Sequence, residues 1–391
     1  MPEVFIAGDH VITSLGFGTS SNLECLYNEV TGIRMVPDGT LLPSPVSASL
    51  VDPTVLEEEF LDAMRSFGKD VDPGSFTHLE KLFIVSIFRA TCDYPALISD
   101  QETLLVLSTT KGNIDLLEPG KRDRFPSDRI FLWQLAKVIQ DYFGFIHPPL
   151  IISNACISGL VAILTAARYM QAGWFRHAVV SGGDILSEFV VSGFHSFQSL
   201  SQKPCRPFDT GRDGLSLGEG AATMVLSTSP LSFPGEISIT GSATTNDANH
   251  ISGPSRTGYE LSLAMSRALS EAGLSPGEIG FINAHGTATP FNDEMESKAL
   301  ALAQLLGVPV NSFKGYFGHT LGAAGVVESV LSVHSLLRDR LIRSGGFAAL
   351  GVPEPISVID RAESRALRNC LKTASGFGGC NAAIVFQKHG L

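Results

Sequence analysis

Two distant copies of one strand, turn and helix pattern constrain the fold more than any other feature of this sequence. The apolar "PLIISNA" leads into a turn at 156–159 and a helix-like apolar stretch, and "VPVNSFKGYFG" leads into a turn at 319–322 and a second such stretch. A glycine-rich turn followed by a strand also recurs, at 218–226 and at 376–386. Units repeated in this way predict two pseudo-symmetric halves whose equivalent helix starts face one cleft.

Short β-branched runs alternate with longer helical patterns along the chain. The strand candidates "LLVLS", "PLIIS", "HAVVSGG" and "AATMVLS" are mostly apolar, which is typical of buried strands in an α/β fold. With 391 residues, 44% of them hydrophobic, the chain can bury a large core. The proline- and serine-rich stretch 227–236 is the best linker candidate, and it predicts an N-terminal half over 1–230 and a C-terminal half over 231–391.

The charge balance and the hydropathy exclude several classes of partner. A formal net charge of -11 argues against nucleic acid, whose binding normally requires a dominant basic surface. The first residues, "MPEVFIAGDHVITSLG", have no basic leader and are typical of a strand, and no apolar run reaches the roughly 18 to 20 residues of a membrane helix. We therefore expect a cytoplasmic protein that does not bind a membrane.

The cysteines divide into one candidate nucleophile and five others. Without a C-x-x-C spacing, six cysteines in so long a chain predict neither a disulfide framework nor a local zinc site. Five are expected to be buried thiols, because free cysteine is among the most buried residue types: Cys25, Cys92, Cys205, Cys370 and Cys380.

Cys156 differs from the other five because it lies where a strand ends and a helix begins. Unpaired backbone N–H groups and the helix dipole at that place would lower the pKa of the thiol and make its sulfur a nucleophile. The alternative is a small hydrophobic residue in a crowded turn.

Two segments of the second half carry further candidates. In "NAHGTATPFND", His285 ends a predicted strand and is followed by small polar residues, a position suited to facing a ligand. In "NSFKGYFGHTLGAAG", Lys314 precedes His319 among glycines and aromatic residues, which favours a buried ammonium paired with Glu328 of the next helix. A structural histidine and a solvated lysine are the alternatives.

One thiolate and two histidines suit acyl-thioester chemistry. The cysteine can take an acyl group, and two neutral imidazoles donating from Nε2 can hold a second thioester carbonyl while negative charge develops on its oxygen. A zinc site of Cys156, His285 and His319 is the competing hypothesis. None of the three belongs to a recognisable local ligand motif, which favours an open substrate cleft without a metal.

Five motifs, in this order, resemble those of the β-ketoacyl-acyl carrier protein synthases, the elongating condensing enzymes of the thiolase-like superfamily. Besides the cysteine turn, they are "CRPFDTGRDGLSLGEGAA", "NAHGTATPFND", "KGYFGHTLGAAG" and "SGFGGCNAAIVF", and the likeness covers nearly the whole chain from "VFIAGDHVITSLG" onward. The resemblance implies a thiolase-like, layered αβαβα fold of two halves. The nucleophile would lie in the first half and both catalytic histidines in the second.

The resemblance also implies a role for each matching residue. Cys156 would accept the acyl chain, and His285 and His319 would form the decarboxylation and oxyanion pair. The charged pair that supports this site would be Lys314 and Glu328. Two threonines would hold the phosphopantetheine arm, and one phenylalanine would gate the site and complete the acyl oxyanion hole with its backbone N–H: Thr287, Thr289 and Phe377.

The reaction implied is a decarboxylative Claisen condensation. An acyl chain would move from a carrier protein to Cys156, and malonyl carrier protein would then lose carbon dioxide and attack the acyl-enzyme. No cofactor would be needed, because the phosphopantetheine arrives on the carrier protein. The implied partners are an acyl carrier protein and a second subunit, either a copy of this chain or a sister subunit. Arg65 and Lys69 are the candidates for docking the carrier protein, with solvated charges as the alternative.

Some residues depart from the family pattern and leave the pathway open. The turn reads "NACISG" where "ACATG" is more usual, and "SLSQKPCRPFD" is short for the loop before "RPFD", so specialised polyketide or polyene synthesis stands beside fatty-acid synthesis. The alternative functions are a chain-length-factor-like subunit without catalytic activity and a degradative thiolase with Cys380 as its base. A chain-length-factor-like subunit usually lacks the nucleophile, and a degradative thiolase lacks the second of the two histidines.

Overall fold

The computed structural model describes residues 2–231, 236–248 and 253–390. Part of the linker candidate at 227–236 lies outside the described residues, and the division of the chain at 230 stays a prediction. The strands are β1 Val4–Thr13, β2 Gly16–Phe17, β3 Arg34–Val36, β4 Val46–Ser49, β5 Thr103–Ser108, β6 Leu150–Ile152, β7 His177–Asp184, β8 Leu217–Gly218, β9 Gly220–Ser227, β10 Ile237–Asn246, β11 Phe281–Asn283, β12 Pro309–Asn311, β13 Arg340–Leu341, β14 Ser357–Val358, β15 Glu363–Ser364, β16 Asn369–Gly376 and β17 Cys380–Lys388.

The helices alternate with these strands. They are α1 Thr19–Tyr27, α2 Pro53–Ser66, α3 His78–Thr91, α4 Leu132–Phe143, α5 Ser158–Gln171, α6 Glu188–Ser196, α7 Tyr259–Ala272, α8 Pro290–Leu302, α9 Lys314–Phe317 and α10 Ala324–Leu337. Short 3₁₀ turns lie at Pro73–Ser75, Pro95–Ser99, Ile114–Leu117, Ser127–Ile130, Pro276–Glu278 and Leu321–Ala323. None of the helices in the described part of the chain is long and apolar enough to cross a membrane.

The large sheet contains one strand pattern twice, which confirms the duplication predicted from the sequence. Its order is β6-β5-β7-β9-β1 in the first half and β12-β11-β16-β17-β10 in the second, with β14 beside β12. When the five strands given for each half, without β14, are numbered in chain order, both spatial orders read 3-2-4-5-1. The pairings 3-2 and 2-4 are parallel and the pairings 4-5 and 5-1 are antiparallel in both halves. Pairing of β1 with β10 joins the halves.

Helices cover both faces of each half and complete the five-layered fold. The central helices α5 and α10 share one apolar core with inward residues from both halves of the sheet. Helices α2, α3 and α4 cover the outer face of the first half, and α7 and α8 cover that of the second. Successive residues of β5 enter different cores, Leu104 the central one and Leu105 the outer one. Burial on both faces explains why these strands are apolar throughout.

The two central helices approach each other closely at their first turns. A Cβ on Gly159 of α5 would lie 2.8 Å from the backbone nitrogen of Val326 and 3.0 Å from the Cα of Gly325 in α10. Only glycine leaves room for backbones this close. The crossing brings together the segments that precede the two helices, and these segments carry Cys156 and His319.

The prediction of five buried cysteines is only partly right. Cys205, Cys370 and Cys380 are buried, but Cys25 is half-buried and Cys92 is exposed. Cys92 is the C-cap residue of α3, on the outer layer, so it reaches solvent where the helix ends.

Candidate active site

A strained turn presents Cys156 between β6 and α5. Ala155 has a φ of 45°, a left-handed conformation that is unfavourable for a residue with a Cβ. The hydroxyl of Ser158 fixes this turn, because it accepts from the backbone N–H of Asn154 at 2.8 Å and donates to the carbonyl of Ala155 at 2.6 Å. Cys156 is thereby held two residues before the helix begins, with 7% of its surface exposed.

His319 is held with one ring nitrogen ready to donate. Its backbone is fixed to the neighbouring chain, because its N–H donates to the carbonyl of Ser216 and its carbonyl accepts from Gly218. Its Nδ1 accepts from the backbone N–H of Leu321 at 3.3 Å, which leaves the proton of the neutral ring on Nε2. This buried Nε2 has no hydrogen-bond partner within residues 2–231, 236–248 and 253–390.

His285 has the same orientation through a different donor. The ammonium of Lys314 lies 3.4 Å from Nδ1 and donates to the carbonyl of His285 at 2.6 Å. An ammonium facing Nδ1 places the ring proton on Nε2, as in His319. The pKa of His285 is held well below its usual range by burial and by its neighbours Lys314, His319 and Lys372. The pKa of His319 is lowered in the same way by burial, Lys314 and Lys372. Both rings are therefore neutral, as the sequence predicted.

Two lysines share one buried carboxylate behind the histidines. Glu328 accepts from Lys314 at Oε1 and from Lys372 at Oε2, each at 2.6 Å, and all three side chains are buried. The sequence predicted a pair of Lys314 and Glu328 but not the participation of Lys372. The signal was a lysine within the otherwise apolar and small-residue strand "CLKTAS".

Two buried acids fix the backbone around the histidines, and neither was predicted from the sequence. Glu296 accepts from the N–H groups of His285 at 2.8 Å and Gly286 at 2.6 Å. Asp184, at the end of β7, accepts from the N–H of Gly322 at 2.6 Å and so holds the turn after His319. An acid at the end of a buried strand, as in "SGGD", was the available signal.

The sulfur and the two imidazoles converge. The Sγ of Cys156 and one nitrogen from each histidine lie within 4.8 Å of one another. Burial raises the pKa of the thiol to about 12, Cys380 also raises it, and Lys314 and the backbone N–H of Phe377 act in the opposite direction. The predicted lowering of this pKa is therefore wrong, because loss of hydration outweighs the effect of the helix start. A pKa this high favours the protonated thiol near neutral pH.

Two cavities meet at the cysteine. The histidine cavity, of about 180 Å³, is lined by both histidines and by Thr287 and Thr289, whose hydroxyls lie 2.9 Å apart. The large cavity, of about 950 Å³, lies on the other side and is lined mainly by apolar residues of α6 and the 114–119 segment. Both are also lined by Cys156 and three phenylalanines, Phe194, Phe197 and Phe377.

Phe377 lies between these cavities with 39% of its surface exposed. Its ring packs on Phe194 and Phe197, with centroid distances of 5.7 and 5.5 Å. Its backbone N–H is directed at the Cys156 thiol. An aromatic side chain in this place can open or close the passage from one cavity to the other.

The remaining sequence candidates lie outside this group. Cys380 is buried and donates to the carbonyl of Phe377 at 3.3 Å, and it is not among the described residues that line the two cavities. Arg65 is exposed at the end of α2, 3.8 Å from Asp62. Lys69 is half-buried, with its ammonium 5.5 Å from the ring centroid of Phe67. The role of Arg65 and Lys69 in docking stays a prediction.

Comparison with known proteins identifies the family. Residues 98–230 match the β-ketoacyl synthase N-terminal domain, and residues 237–347 match the β-ketoacyl synthase C-terminal domain. A mitochondrial protein of Schizosaccharomyces pombe, named as a 3-oxoacyl-[acyl-carrier-protein] synthase, is 31% identical, and the match covers 99% of both chains. The 3-oxoacyl-[acyl-carrier-protein] synthase 2 of Vibrio cholerae is 35% identical over 63% of both chains.

Solved structures agree with the fold. A β-ketoacyl synthase from Burkholderia phymatum has a TM-score of 0.87 at 24% identity, with 100% of both chains covered. A ketosynthase from Xenorhabdus doucetiae, solved in complex with its chain length factor, has a TM-score of 0.86 at 23% identity and covers 99% of this chain and 98% of its own. The thiolase-like fold expected from the sequence is confirmed, and a condensing synthase is supported over a non-catalytic subunit or a degradative thiolase. The chain therefore belongs to the β-ketoacyl synthase family of condensing acyltransferases.

Proposed function

We propose that Cys156 carries the growing acyl chain and that His285 and His319 together decarboxylate the malonyl thioester and stabilise its enolate. The observation that carries this proposal is the convergence of Sγ and both imidazoles within 4.8 Å, at the junction of the two cavities. The two Nε2–H groups are fixed by donors behind the rings, so no reorganisation is needed when charge develops on a substrate oxygen.

In the loading step, Sγ attacks the carbonyl carbon of an acyl thioester. A new bond between Sγ and carbon forms, the bond to the sulfur of the carrier breaks, and the proton of Cys156 passes to the departing thiolate. Because both rings carry their proton on Nε2, they assist only as hydrogen-bond donors to the developing thiolate and do not accept the proton themselves. The N–H groups of Cys156 and Phe377 hold the oxyanion of the tetrahedral intermediate, and the acyl chain enters the large cavity.

In the condensation step, malonyl thioester occupies the histidine cavity. Its carboxylate leaves as carbon dioxide, and the electron pair of the broken bond forms an enolate whose oxygen accepts from His285 and His319. The enolate carbon attacks the acyl carbonyl, and Cys156 departs as a thiolate that takes up a proton. A neutral ring suits this role, because a buried imidazolium beside Lys314 would be strongly disfavoured.

The proposal involves no metal, nucleotide or flavin. A histidine that ligates a metal through Nε2 normally donates its Nδ1 proton to an acceptor behind it. Here the groups behind Nδ1 are donors, an ammonium at His285 and a backbone N–H at His319. This arrangement keeps the proton on Nε2 and opposes a zinc site formed with Cys156.

The proposed substrates arrive on phosphopantetheine. Thr287 and Thr289 line the histidine cavity with hydroxyls that can bind the amides of such an arm, and Phe377 gates the passage to the acyl chain. The arm belongs to an acyl carrier protein, in keeping with the names of the curated relatives.

We also propose a twofold dimer, most simply of two copies of this chain. Strand β6 ends the sheet next to Cys156, and its unpaired edge can continue into the β6 of a second copy. The ketosynthase of Xenorhabdus doucetiae is paired with a chain length factor, so a sister subunit is the second possibility. Light scattering on the purified chain distinguishes the two, because a homodimer has twice the monomer mass and a chain that requires a sister subunit remains monomeric.

Intact-mass measurement tests the proposed chemistry. The protein is incubated with a panel of acyl carrier protein thioesters that differ in chain length, unsaturation and aromatic character. We expect a mass increase equal to one acyl group, absent in Cys156→Ala and retained in Cys380→Ala. The accepted chains separate fatty-acid from polyketide or polyene synthesis. Acylation that persists in Cys156→Ala would disprove the assignment of the nucleophile.

A further inference from the structure

A cleft opens directly beside the mouth of the histidine cavity. This rim cleft, of about 380 Å³, lies between the 253–256 loop and the first turns of α8. The two cavities share Gly253, Pro254, Ser255, Phe291 and Met295 as lining residues. Because the shared Phe291 is 76% exposed, the cleft adjoins the histidine cavity on a side that reaches solvent.

Two cations of the rim cleft form no ion pair with a carboxylate in the part of the chain that the structure describes. Arg256 is exposed on the loop, the ammonium of Lys298 donates to the backbone carbonyl of Arg256 at 3.0 Å, and both residues line the cleft. Neither forms an ion pair with any described acid, while the one acid in the cleft, Glu294, lies 3.8 Å from the guanidinium of Arg212. The cleft thus has an excess of positive charge on a protein whose formal net charge is -11.

Local hydrogen bonds support the loop that carries Arg256. The hydroxyl of Ser255 accepts from the backbone N–H groups of Thr257 and Gly258, each at 3.3 Å. Phe291, exposed at the start of α8, forms the opposite wall. The cations are therefore presented beside an apolar surface, a combination that suits a charged group at the end of a less polar chain.

We propose that Arg256 and Lys298 bind the phosphate of the incoming phosphopantetheine arm. The inference rests on the proposed function, which places the thioester end of that arm at Cys156 and its amides beside Thr287 and Thr289. The next group outward along the arm is the phosphate, and the rim cleft is the next space outward along the cavity. Guanidinium and ammonium groups are the side chains that bind phosphate oxygens most strongly.

This site would also help this acidic chain to bind a carrier protein of net negative charge. Long-range repulsion slows the encounter of two negatively charged proteins, and a local positive site at the tunnel mouth offsets it where the arm must enter. Arg65, in contrast, lies beside Asp62 on a helix that also carries Glu57, Glu58 and Glu59.

Free phosphopantetheine and free pantetheine, which differ only in the phosphate, are the probes for this site. We expect wild-type protein to bind the phosphorylated compound more tightly by calorimetry. The double variant R256Q/K298Q should lose about tenfold in affinity for it, as expected for two partly exposed charge contacts, with no change for pantetheine. The matched control is Lys137→Gln, an exposed lysine on α4 paired with Asp141, which should change neither affinity.

Equal affinities of wild-type protein for the two compounds would overturn the proposal, as would an equal loss for both in R256Q/K298Q. Turnover of malonyl-pantetheine is measured in parallel, because this substrate lacks the phosphate. Its absence in wild-type protein would count against the proposed condensation and not against the phosphate site, which the binding measurement tests separately. Turnover unchanged in R256Q/K298Q, together with a raised KM for malonyl carrier protein, is the expected result.

Discussion

The cluster of Lys314, Glu328 and Lys372 predicts an unequal response to the loss of its members. Replacing Glu328 with Gln leaves two buried ammonium groups without a counter-charge, which should lower the free energy of unfolding by about 3–5 kcal/mol. Replacing Lys372 with Met leaves a neutral pair of Lys314 and Glu328. The losses are then the hydrogen bonds from Lys372 to Glu328 at 2.6 Å and to the carbonyl of Thr373 at 2.8 Å.

The net effect of Lys372→Met should be smaller than that of Glu328→Gln. Hydrogen bonds from a charged donor contribute about 1.5–3 kcal/mol, and removing a buried charge that repels Lys314 offsets part of this loss, so we expect no more than about 2 kcal/mol. Adding Lys372→Met to Glu328→Gln should restore part of the lost stability, because only one unpaired ammonium then remains. The control is Lys388→Met, whose partner Asp339 is partly exposed, with 42% of its side-chain surface accessible, and can be solvated by water.

Urea unfolding followed by circular dichroism measures these differences, and its pH dependence gives a second test. Burial and Lys314 lower the pKa of Lys372 in the folded protein. Between that lowered pKa and the usual value near 10.5, the unfolded chain binds the extra proton, so wild-type stability should rise with pH in this range. Lys372→Met should lack this rise. Equal destabilisation by Lys372→Met and Glu328→Gln would refute the assignment of the charges.

Four further predictions concern the catalytic residues and docking. Cys156→Ala should abolish acyl loading and retain malonyl decarboxylation, measured as carbon dioxide release, because decarboxylation requires the histidines and not the thiol. His285→Ala or His319→Ala should reduce decarboxylation by about 10²-fold or more and loading far less, and the reverse order would show that the roles are misassigned. Because burial raises the pKa of Cys156 to about 12, its alkylation by iodoacetamide should accelerate about tenfold per pH unit from about pH 7 to 9, and a plateau in this range would contradict a buried neutral thiol. Reversing Arg65 and Lys69 to Glu should weaken carrier-protein substrates at low salt and spare pantetheine thioesters, whereas equal effects on both would place these residues in folding or in the pocket.

The sequence predicted Cys156, His285 and His319 as candidate site residues because each lies in a local pattern with a physical meaning, and the structure brings the three together. Cys156 stood out from the other cysteines because a strand ended before it and a helix began after it. His285 and His319 stood out because glycines and small polar residues surround them, and such residues let a backbone approach a substrate. The exposed Cys92 shows the limit of this reasoning, since residue type gives an average burial and not the position of a helix end on the surface.

Properties that depend on neighbours distant in the chain could not be predicted in this way. Lys372 joins Glu328 from a strand 44 residues further along, and the local pattern of "CLKTAS" indicates a buried lysine but not its partner. The pKa of Cys156 was predicted in the wrong direction, because the helix start is a local feature and the burial that outweighs it is produced by the packed layers.

By itself, the sequence determined the α/β class and the duplication and singled out one candidate thiol and two candidate imidazoles, because hydrophobic periodicity and turn composition are local. Only the tertiary structure decided how these groups act together. The close crossing of the central helices at Gly159 and Gly325 brings the cysteine turn to the histidines. Donors behind the rings then fix which nitrogen carries the proton, and the layers around Cys156 remove the water that would otherwise stabilise its thiolate.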